Sequence, residues 1–478
     1  MTTTATSSTG TLSSAGIGSN LPVESIITQL MAIEQQPLTA LQTKASTIQS
    51  TVSEYGKIKS AISTLNDLSV KLASATTWAQ TVSSTSNAAT VTASTSGAAA
   101  GTYSVEVQKL ASVQTLASSV FTGSSPTPGA GTLHIELGTW GTNQTSFTAN
   151  ASATAVDITV AATDTLADVR DKINASGAGV TAMIMTDSTG SRLLMRSSTT
   201  GAANGFRTSG IASLAFDPSA SVTGMTQTQA AADAAATVNG LAVTSTTNTL
   251  SNVLDGLTLN LVSTTAAATP TTITVAADTD SLKKTMTDFA SAYSTLMTMF
   301  ANDTKYDATT KKSGLLQGDS AVTGLQRQLR AMAGGTSSAS STFSYLSDAG
   351  FQIQRDGTMT VDSTKITNSL ANLSELKKMF SNSSASDSTA DGFAKRFRNF
   401  TDNVLGVTGT ITTRTNGLSD ELTRNQTNQD NLNIRLAAIE KRMRAQYTAL
   451  DTTMAKLNST STYLTQQITA MNASSSSG

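Results

Sequence analysis

The sequence predicts an α+β multidomain protein, in which the two chain ends form a coiled-coil or helical-bundle stalk and β-rich head domains are inserted between them. Apolar residues recur at heptad spacing near both ends of the chain. Short runs that alternate apolar and polar residues fill the middle, and helical spacing returns after residue 280. Because the chain leaves a helical region near residue 76 and re-enters one near residue 279, the two ends of the insertion must lie side by side.

The N-terminal helical segment follows a lead rich in Ser and Thr. We expect its helix to begin near Ser19 or Asn20 with Pro22 in the first turn, where a missing backbone N–H needs no partner. The apolar positions of this segment are Ile17, Leu21, Ile26, Ile27, Leu30, Met31 and Ile33. Pro37 lacks the N–H that a continuing helix needs and crowds the preceding turn, so a break or kink is expected there. Pro37 is therefore the predicted hinge between a short helix and a longer one.

Heptad spacing beyond Pro37 predicts a long helix that reaches about residue 72. Its apolar positions are Leu38, Leu41, Ala45, Ile48, Val52, Tyr55, Ile58, Ile62, Leu65 and Leu72. The C-terminal end keeps coiled-coil spacing, with a 4-4 step around Met443 to Leu450 that indicates a local stutter. Its apolar positions are Leu432, Leu436, Ile439, Met443, Tyr447, Leu450, Met454, Leu457, Leu464, Ile468 and Met471. The two stripes are expected to pair with each other and with neighbouring copies of the chain. The predicted assembly seam consists of Ile26, Leu30, Leu38, Leu41, Ile48, Val52, Leu432, Leu436, Ile439, Met443, Leu450, Leu457, Leu464 and Ile468.

The middle of the chain has the pattern of short antiparallel strands. Asn239-Gly240 and Asp356-Gly357 each predict a tight hairpin turn. Leu166, Val169 and Ile173 share one face of a short helix that Gly177 is expected to end. We predict four parts. They are terminal legs, partly disordered in the monomer (1–36 and 430–478), a helical stalk domain with a small hairpin (37–78 and 279–429), a β-rich head domain (79–130 and 220–278) and a second head domain inserted in the first (131–219).

Composition excludes several classes of protein. Ser and Thr make up almost a third of the chain, there is no cysteine, and the formal net charge is −1 with the charges scattered. Disulfides, thiolate metal sites and an electrostatic footprint for nucleic acid are therefore not expected. The chain has no apolar run of about 18 residues, so membrane insertion is not predicted. It also lacks the basic and apolar regions of a secretory leader, so any export is expected to use another route.

Residues that could carry chemistry have simpler interpretations. The lone His134 lies opposite Leu133 and Ile135 on an alternating strand, so a solvent-facing position is expected. The pairs Asp168 with Asp171 and Asp278 with Asp280 fall at a helix start and in a loop, where capping or solvated charges are expected. The cluster Arg435, Lys441, Arg442 and Arg444 is expected to be a solvated helix flank, with pairing to a neighbouring subunit as the alternative. We predict no enzymatic activity, no cofactor and no metal site.

Both ends resemble the bacterial flagellar filament-cap family, also called the second hook-associated protein family. Residues 16–44, GIGSNLPVESIITQLMAIEQQPLTALQTK, carry that family's apolar helix and E-x-x-P-L step at Glu34, Pro37 and Leu38. The C-terminal half is similar through LSDAGFQIQRDGTMTVDSTKI, ELKKMF and NIRLAAIEKRMRAQYTALDTTMAKLNSTSTYLTQQI. The middle segment DITVAATDTLADVRDKINASGAGVTAMIMTD resembles an insert module of flagellar axial proteins, which supports the class but not the member.

The resemblance implies a secreted structural protein at the tip of the flagellar filament, exported unfolded by the flagellar type III apparatus and needed for motility. Its subunits would form a homo-oligomeric ring that retains exported flagellin and promotes flagellin polymerisation. The implied partners are further copies of the chain, flagellin, hook–filament junction proteins, an export chaperone and, in cell adhesion, host mucin. The alternatives are a flagellin-like or junction protein of the axial class, a tip adhesin that binds mucin or glycans, and a secreted enzyme.

Overall fold

A computed structural model describes residues 22–123, 125–309, 311–385 and 387–475 of the chain. The expected helix start at Ser19 or Asn20, and the stripe residues Ile17 and Leu21, lie outside the described residues. The predicted fold class is confirmed, since helices at both ends flank a β-rich insertion.

Ten α-helices lie in the described ranges. They are α1 (Val23–Glu34), α2 (Gln36–Ala73), α3 (Ala75–Trp78), α4 (Leu166–Ala175), α5 (Thr279–Thr304), α6 (Ser320–Gly334), α7 (Ser363–Leu370), α8 (Leu373–Ser381), α9 (Phe393–Leu405) and α10 (Thr410–Ser475). Short 3₁₀ turns occupy Thr142–Gln144, Ala202–Asn204, Ala212–Leu214, Pro218–Ala220 and Ser388–Ala390. The long heptad helix predicted after Pro37 is confirmed as α2, and the C-terminal stripe lies on the 66-residue α10.

The predicted break near Pro37 is present two residues earlier. Gln35 separates α1 from α2, with φ −79° and ψ −12°, and Pro37 lies in the first turn of α2. Proline fits there because the first backbone N–H groups of a helix have no partner within it. Since the Gln35 N–H still bonds to the Met31 carbonyl at 2.9 Å, the interruption is a mild one. The hinge role of Pro37 stays a prediction.

Contacts between Cα atoms divide the chain into two compact units. The first combines residues 1–74 with 283–478, and the second spans Ala75–Leu282. The helical unit has an aromatic core in which Phe289 meets Phe397 edge to face at 5.2 Å and Phe351 at 6.3 Å between ring centroids. Such pairs contribute about 0.5–1.5 kcal/mol each beyond the area they bury. The predicted four-part division of the chain stays a prediction.

The strands pair antiparallel throughout the described residues. They are β1 (Thr81–Thr85), β2 (Val91–Thr95), β3 (Gly101–Lys109), β4 (Thr115–Ser118), β5 (Gly131–Trp140), β6 (Phe147–Ala149), β7 (Val156–Val160), β8 (Val180–Asp187), β9 (Gly190–Ser197), β10 (Gly205–Ser209), β11 (Phe216–Asp217), β12 (Val222–Thr223), β13 (Met225–Gln229), β14 (Ala234–Val238), β15 (Leu241–Ser245), β16 (Thr249–Leu254), β17 (Leu257–Leu261), β18 (Thr271–Ala277), β19 (Tyr306–Asp307), β20 (Lys312–Ser313), β21 (Phe351–Ile353) and β22 (Met359–Val361).

The inserted unit has two apolar cores. A five-stranded sheet (β1-β18-β3-β14-β15) and a three-stranded sheet (β16-β17-β2) supply the first core, which includes Val105, Val107 and Leu259. A six-stranded sheet formed by β12-β11-β10-β5-β6 with β7, a four-stranded sheet (β13-β4-β9-β8) and α4 supply the second, which includes Leu133 and Val169. The alternating residues of these strands therefore pack as their period predicts.

The buried side-chain amide of Gln114 makes three hydrogen bonds within the second core. Its side-chain nitrogen donates to the Phe206 carbonyl at 2.7 Å, and its oxygen accepts from the Phe206 N–H at 2.9 Å and the Trp140 indole N–H at 3.0 Å. Gln114 thus pairs with Phe206 as a neighbouring strand would. A fully satisfied buried amide of this kind costs little. Its removal would leave the buried N–H and carbonyl of Phe206, and the half-buried indole N–H of Trp140, without this partner.

Both predicted hairpins are confirmed. Asn239 and Gly240 have φ of 50° and 82° between β14 and β15, the left-handed pair that a two-residue turn requires. Gly357, with φ of 91°, lies in the turn between β21 and β22. The short helix with Gly177 after its end is confirmed as α4, and Gly177 has φ of 69°.

Candidate assembly site

The long helices α2 and α10 pair antiparallel along one apolar seam. Ile48 on α2 is buried, and so are Ile411 and Leu418 on α10. Lys44 and Glu421 form an ion pair of 2.8 Å across the two helices, which fixes their register. The predicted seam residues Leu38, Leu41 and Val52 are half-buried on α2. The α2–α10 pairing also begins well before Leu432, where sequence spacing placed the start of the C-terminal stripe.

A separate small cluster holds α1 against α10. Val23, Ile27 and Met31 on α1 are 2%, 2% and 7% exposed, and they pack with the buried Leu436 and Ile439. The half-buried residues packed around this cluster are Leu38, Leu432, Met443 and Tyr447. The structure thus brings together the predicted seam residues Leu432, Leu436, Ile439 and Met443 with α1.

The helix α1 is apolar on two adjacent faces. The inner face is formed by Val23, Ile27 and Met31. The sequence stripe included Ile27 and Met31, but the predicted assembly seam included none of these three residues. The predicted seam residues Ile26 and Leu30 lie on the outer face, where they are half-buried, and Ile33 continues this face at 62% exposure. A helix that is apolar over so wide an arc is usually covered on more than one side.

The distal part of α10 presents an exposed apolar stripe. The predicted seam residues Leu450, Leu457, Leu464 and Ile468 are 46%, 58%, 54% and 58% exposed, and Met471 is 68% exposed. Leu450, Leu457, Leu464 and Met471 follow Leu436 and Met443 at multiples of seven residues. Ile468 belongs to the second apolar row, which the stutter around Met443 to Leu450 shifts by one residue. The distal stripe therefore differs from the preceding part of α10 mainly in burial.

Charged side chains support the contact between α1 and α10. Arg444 donates through Nη1 to Glu24 Oε1 at 2.6 Å and through Nε to Glu440 Oε1 at 3.0 Å. These two carboxylates, Glu24 first, hold the pKa of the Arg444 guanidinium above its ordinary value. Within the predicted basic cluster, Arg444 therefore pairs inside its own chain, which neither sequence interpretation anticipated. The other three cationic side chains of that cluster are exposed.

The residues considered for catalysis have structural roles. His134 is half-exposed on β5, and its Nδ1 lies 2.6 Å from Asp157 Oδ1. Asp168 completes a capping box with Thr165 at the start of α4, and its hydrogen bonds to Thr165 hold its pKa below the ordinary value. Asp171 pairs with its neighbour Arg170.

No set of three or more His, Asp or Glu side chains among the described residues could hold a metal ion. None of the described helices is long and apolar enough to cross a membrane.

Paired helices from the two chain ends, with apolar faces exposed among the described residues and a β-rich unit inserted between them in sequence, define a self-assembling structural protein. Family models agree with this class along most of the chain. Residues 19–114 match the flagellar hook-associated protein 2 N-terminus, 231–459 match its C-terminus, and 141–199 match the flagellin hook IN motif.

Full-length relatives identify the family. The flagellar hook-associated protein 2 of Escherichia coli K12 is 32% identical over 95% of this chain and 98% of its own. That of Salmonella typhimurium is 30% identical over 97% and 99%. A crystal structure of the flagellar cap protein FliD from Escherichia coli superposes with a TM-score of 0.59 at 30% identity, over 77% of this chain and 99% of that one. The chain belongs to the flagellar hook-associated protein 2 family.

Membership in this family confirms the predicted resemblance, the filament-cap function and the location at the flagellar filament. It supports association with the filament and with further copies of the chain. The family is one of structural cap proteins and not a known enzyme family. Matches over nearly the full chain do not favour the flagellin-like, junction-protein or adhesin alternatives.

Proposed function

We propose that this chain closes the distal tip of the flagellar filament as a homo-oligomeric ring, retains exported flagellin there and promotes its polymerisation without catalysis. The single observation that carries the ring assembly is the set of uncovered apolar faces on the terminal helices. The outer face of α1 (Ile26, Leu30 and Ile33) and the distal stripe of α10 (Leu450 to Met471) are left exposed or half-buried by their own chain. Further copies would cover them.

Apolar area explains why these faces favour association. Burying a Leu or Ile side chain fully contributes about 1.5–3 kcal/mol relative to leaving it in water. Each subunit carries several such residues at regular spacing on the distal stripe, so their contributions add along one contact. Contacts between different surfaces of neighbouring copies, repeated by rotation, close into a ring when the rotation closes.

The proposal also includes specific partners and domain boundaries. The predicted partners beyond the chain itself are flagellin, hook–filament junction proteins and an export chaperone, with host mucin as a ligand of the head. We also propose the four-part division (1–36 with 430–478, 37–78 with 279–429, 79–130 with 220–278, and 131–219). The cluster that joins α1 to α10, the aromatic core of the helical unit and the two β cores support a division into four parts. The second β core also includes Leu116 and Met225, from the segments assigned to the first head domain.

The test is a gene deletion in the source bacterium, complemented with variants of the distal stripe. Deletion is expected to leave cells with hooks but without filaments, and with monomeric flagellin in the medium. The wild-type gene should restore filaments, whereas Leu457→Asp with Leu464→Asp should not, because two carboxylates would then stand where the contact needs apolar side chains.

A matched control keeps the same heptad spacing on the opposite flank. Ser459→Asp with Gln466→Asp adds the same charge at exposed positions and should restore filaments. Immunoblots of the medium verify that each variant is exported. Normal filaments in the deletion strain, with only attachment lost, would establish an adhesin instead. If the control variant were as unable to restore filaments as the stripe variant, the distal stripe would not be the assembly contact.

A further inference from the structure

Asparagine is followed directly by glycine at three places in the chain. The three pairs are Asn204-Gly205, Asn239-Gly240 and Asn416-Gly417. In such a pair the backbone nitrogen of the glycine can attack the side-chain amide carbon of the asparagine, because glycine has no side chain that blocks the approach. The attack needs a glycine N–H that is free of a hydrogen bond and open to water. The surroundings of the three glycines therefore decide which pair reacts.

Two of the three pairs have a glycine N–H that is held by the backbone. The Gly205 N–H donates to the Ala202 carbonyl, and the buried Gly205 is paired with Gly138 between β10 and β5. Gly417 lies inside α10, where the N–H of each residue donates to the carbonyl four residues earlier. Both nitrogens can react only after the backbone around them opens locally.

The third pair forms the tip of the hairpin between β14 and β15. Asn239 and Gly240 are both exposed, and a Cβ atom placed on Gly240 would meet nothing within 4 Å. The Gly240 N–H has no hydrogen-bond partner among the described residues. Only the torsion angles of the two turn residues have to change for the attack, so no strand pairing or helix has to open first.

The side chain of Asn239 is held by a donor that favours the attack. The Ser104 N–H on β3 donates to Asn239 Oδ1 at 2.9 Å, and the Asn239 N–H donates to the Ser104 carbonyl at 2.8 Å. Negative charge develops on Oδ1 when a nucleophile adds to the amide carbon. The Ser104 N–H stabilises this charge as a backbone donor in an oxyanion hole does.

We propose that Asn239 is a site of spontaneous deamidation in the folded chain. The Gly240 nitrogen loses its proton to hydroxide and bonds to Asn239 Cγ, the Cγ–Nδ2 bond breaks, and the side-chain nitrogen leaves as ammonia. Water then opens the succinimide ring at either of its two carbonyls, which gives aspartate or isoaspartate. The net reaction consumes one water molecule and releases one molecule of ammonia.

The modification changes both the charge and the backbone of the hairpin tip. Either product adds one negative charge to a chain whose formal net charge is −1. Isoaspartate also lengthens the turn by one methylene next to the paired residues Val238 and Leu241, so it should loosen β15 at the edge of the five-stranded sheet. The inference goes beyond the capping role, because it concerns a covalent change that accumulates with the age of the chain.

Peptide mapping by mass spectrometry tests the proposal on the purified full-length chain, incubated under native conditions at mildly alkaline pH. The acid form should accumulate at Asn239 at least about tenfold faster than at Asn204 and Asn416, because the other two glycine N–H groups react only after local opening. Isoaspartate should accompany aspartate at position 239. The rate should rise with pH, since the attacking nitrogen must lose its proton.

The same chain unfolded in denaturant is the matched control. All three pairs are then Asn-Gly in an open chain, so their rates should become similar. The variant Asn239→Gln, which cannot form the five-membered ring, should form no isoaspartate at this position and should leave the other two rates unchanged.

Three results would overturn the proposal. The first is conversion of Asn204 or Asn416 in the folded chain as fast as that of Asn239. The second is an acid product at position 239 without isoaspartate, because the succinimide route gives both. The third is a faster rate at Asn239 that persists in denaturant, which would show that the flanking sequence and not the hairpin selects the site.

Discussion

A substitution on the inner face of α1 tests the contact between α1 and α10 separately from the outer face of α1. In Ile27→Asp, a side chain that is 2% exposed in the α1–α10 cluster becomes a carboxylate. We expect α1 to leave α10, while the aromatic core of the helical unit and both β cores stay folded, because those cores do not include Ile27.

The magnitude follows from the size of the contact. Truncating a buried isoleucine costs about 2–5 kcal/mol, and an unpaired carboxylate in the same place adds a desolvation cost. The cluster has five buried side chains, so this loss is large relative to what holds α1 in place. A loss of about 2 kcal/mol already changes the ratio of docked to undocked states about 30-fold.

Hydrogen–deuterium exchange of the α1 backbone amides, measured by mass spectrometry, tests this expectation. A substitution at the neighbouring Ile26 serves as the control. Ile26→Asp adds the same charge one residue earlier in the same turn of α1, where the side chain is half-buried. Protection of α1 should fall at least 30-fold in Ile27→Asp and much less in Ile26→Asp, whereas Ile26→Asp should weaken assembly between copies. Equal losses of α1 protection in the two variants would refute the distinction between an inner and an outer face.

Two further predictions concern Glu375 in the helical unit and Gln114 in the inserted unit. The ion pair with Lys378, followed by hydrogen bonds from the Ser340 and Ser341 region, lowers the pKa of Glu375 to about 2. The ionised Glu375 side chain therefore stabilises the fold above about pH 4.5, and this stabilisation is lost as the pH falls toward 2. In Glu375→Gln, the free energy of unfolding should lack this pH-dependent contribution. An acid-unfolding transition identical to that of the wild type would contradict the prediction. Replacing Gln114 by Leu should lower the free energy of unfolding by about 2–6 kcal/mol in chemical denaturation, because the two buried backbone groups of Phe206 lose their partner and the half-buried Trp140 indole loses one as well. A loss below about 1 kcal/mol would show that these groups find other partners.

Strong periodicity explains which parts of the fold the sequence predicts well. The heptad spacing from Leu38 to Leu72 predicts α2, and the Asn239-Gly240 turn predicts its hairpin, because each follows from local backbone chemistry. The pairing of Gln114 with Phe206 could not be predicted, since it joins residues distant in the chain. No local signal marks a polar side chain that takes the place of a neighbouring strand.

The assembly site shows a different limit. Ile26 and Ile27 are adjacent in sequence, and both fit an apolar helical stripe, so periodicity alone does not say which one faces its own chain. The buried Asn425 and Gln429 were missed because amides are mostly exposed in folded proteins, and only the pairing with α2 buries them.

The partial cover that α1 gives to the apolar stripe of α10 explains how one helix can serve both folding and assembly. The apolar stripe on α10 continues from Leu436 to Ile468 through the stutter near Met443, and among the described residues the 12-residue α1 covers only the first part of that stripe. The covered part ties α1 to its own chain, and the remainder keeps apolar side chains available for another copy. The covered part ends and the exposed part begins close to the stutter around Met443 to Leu450, so a small change in spacing accompanies the change in burial. Among the described residues, the cover that α1 provides ends near Tyr447, because a side chain on α10 is covered only where α1 lies beside it.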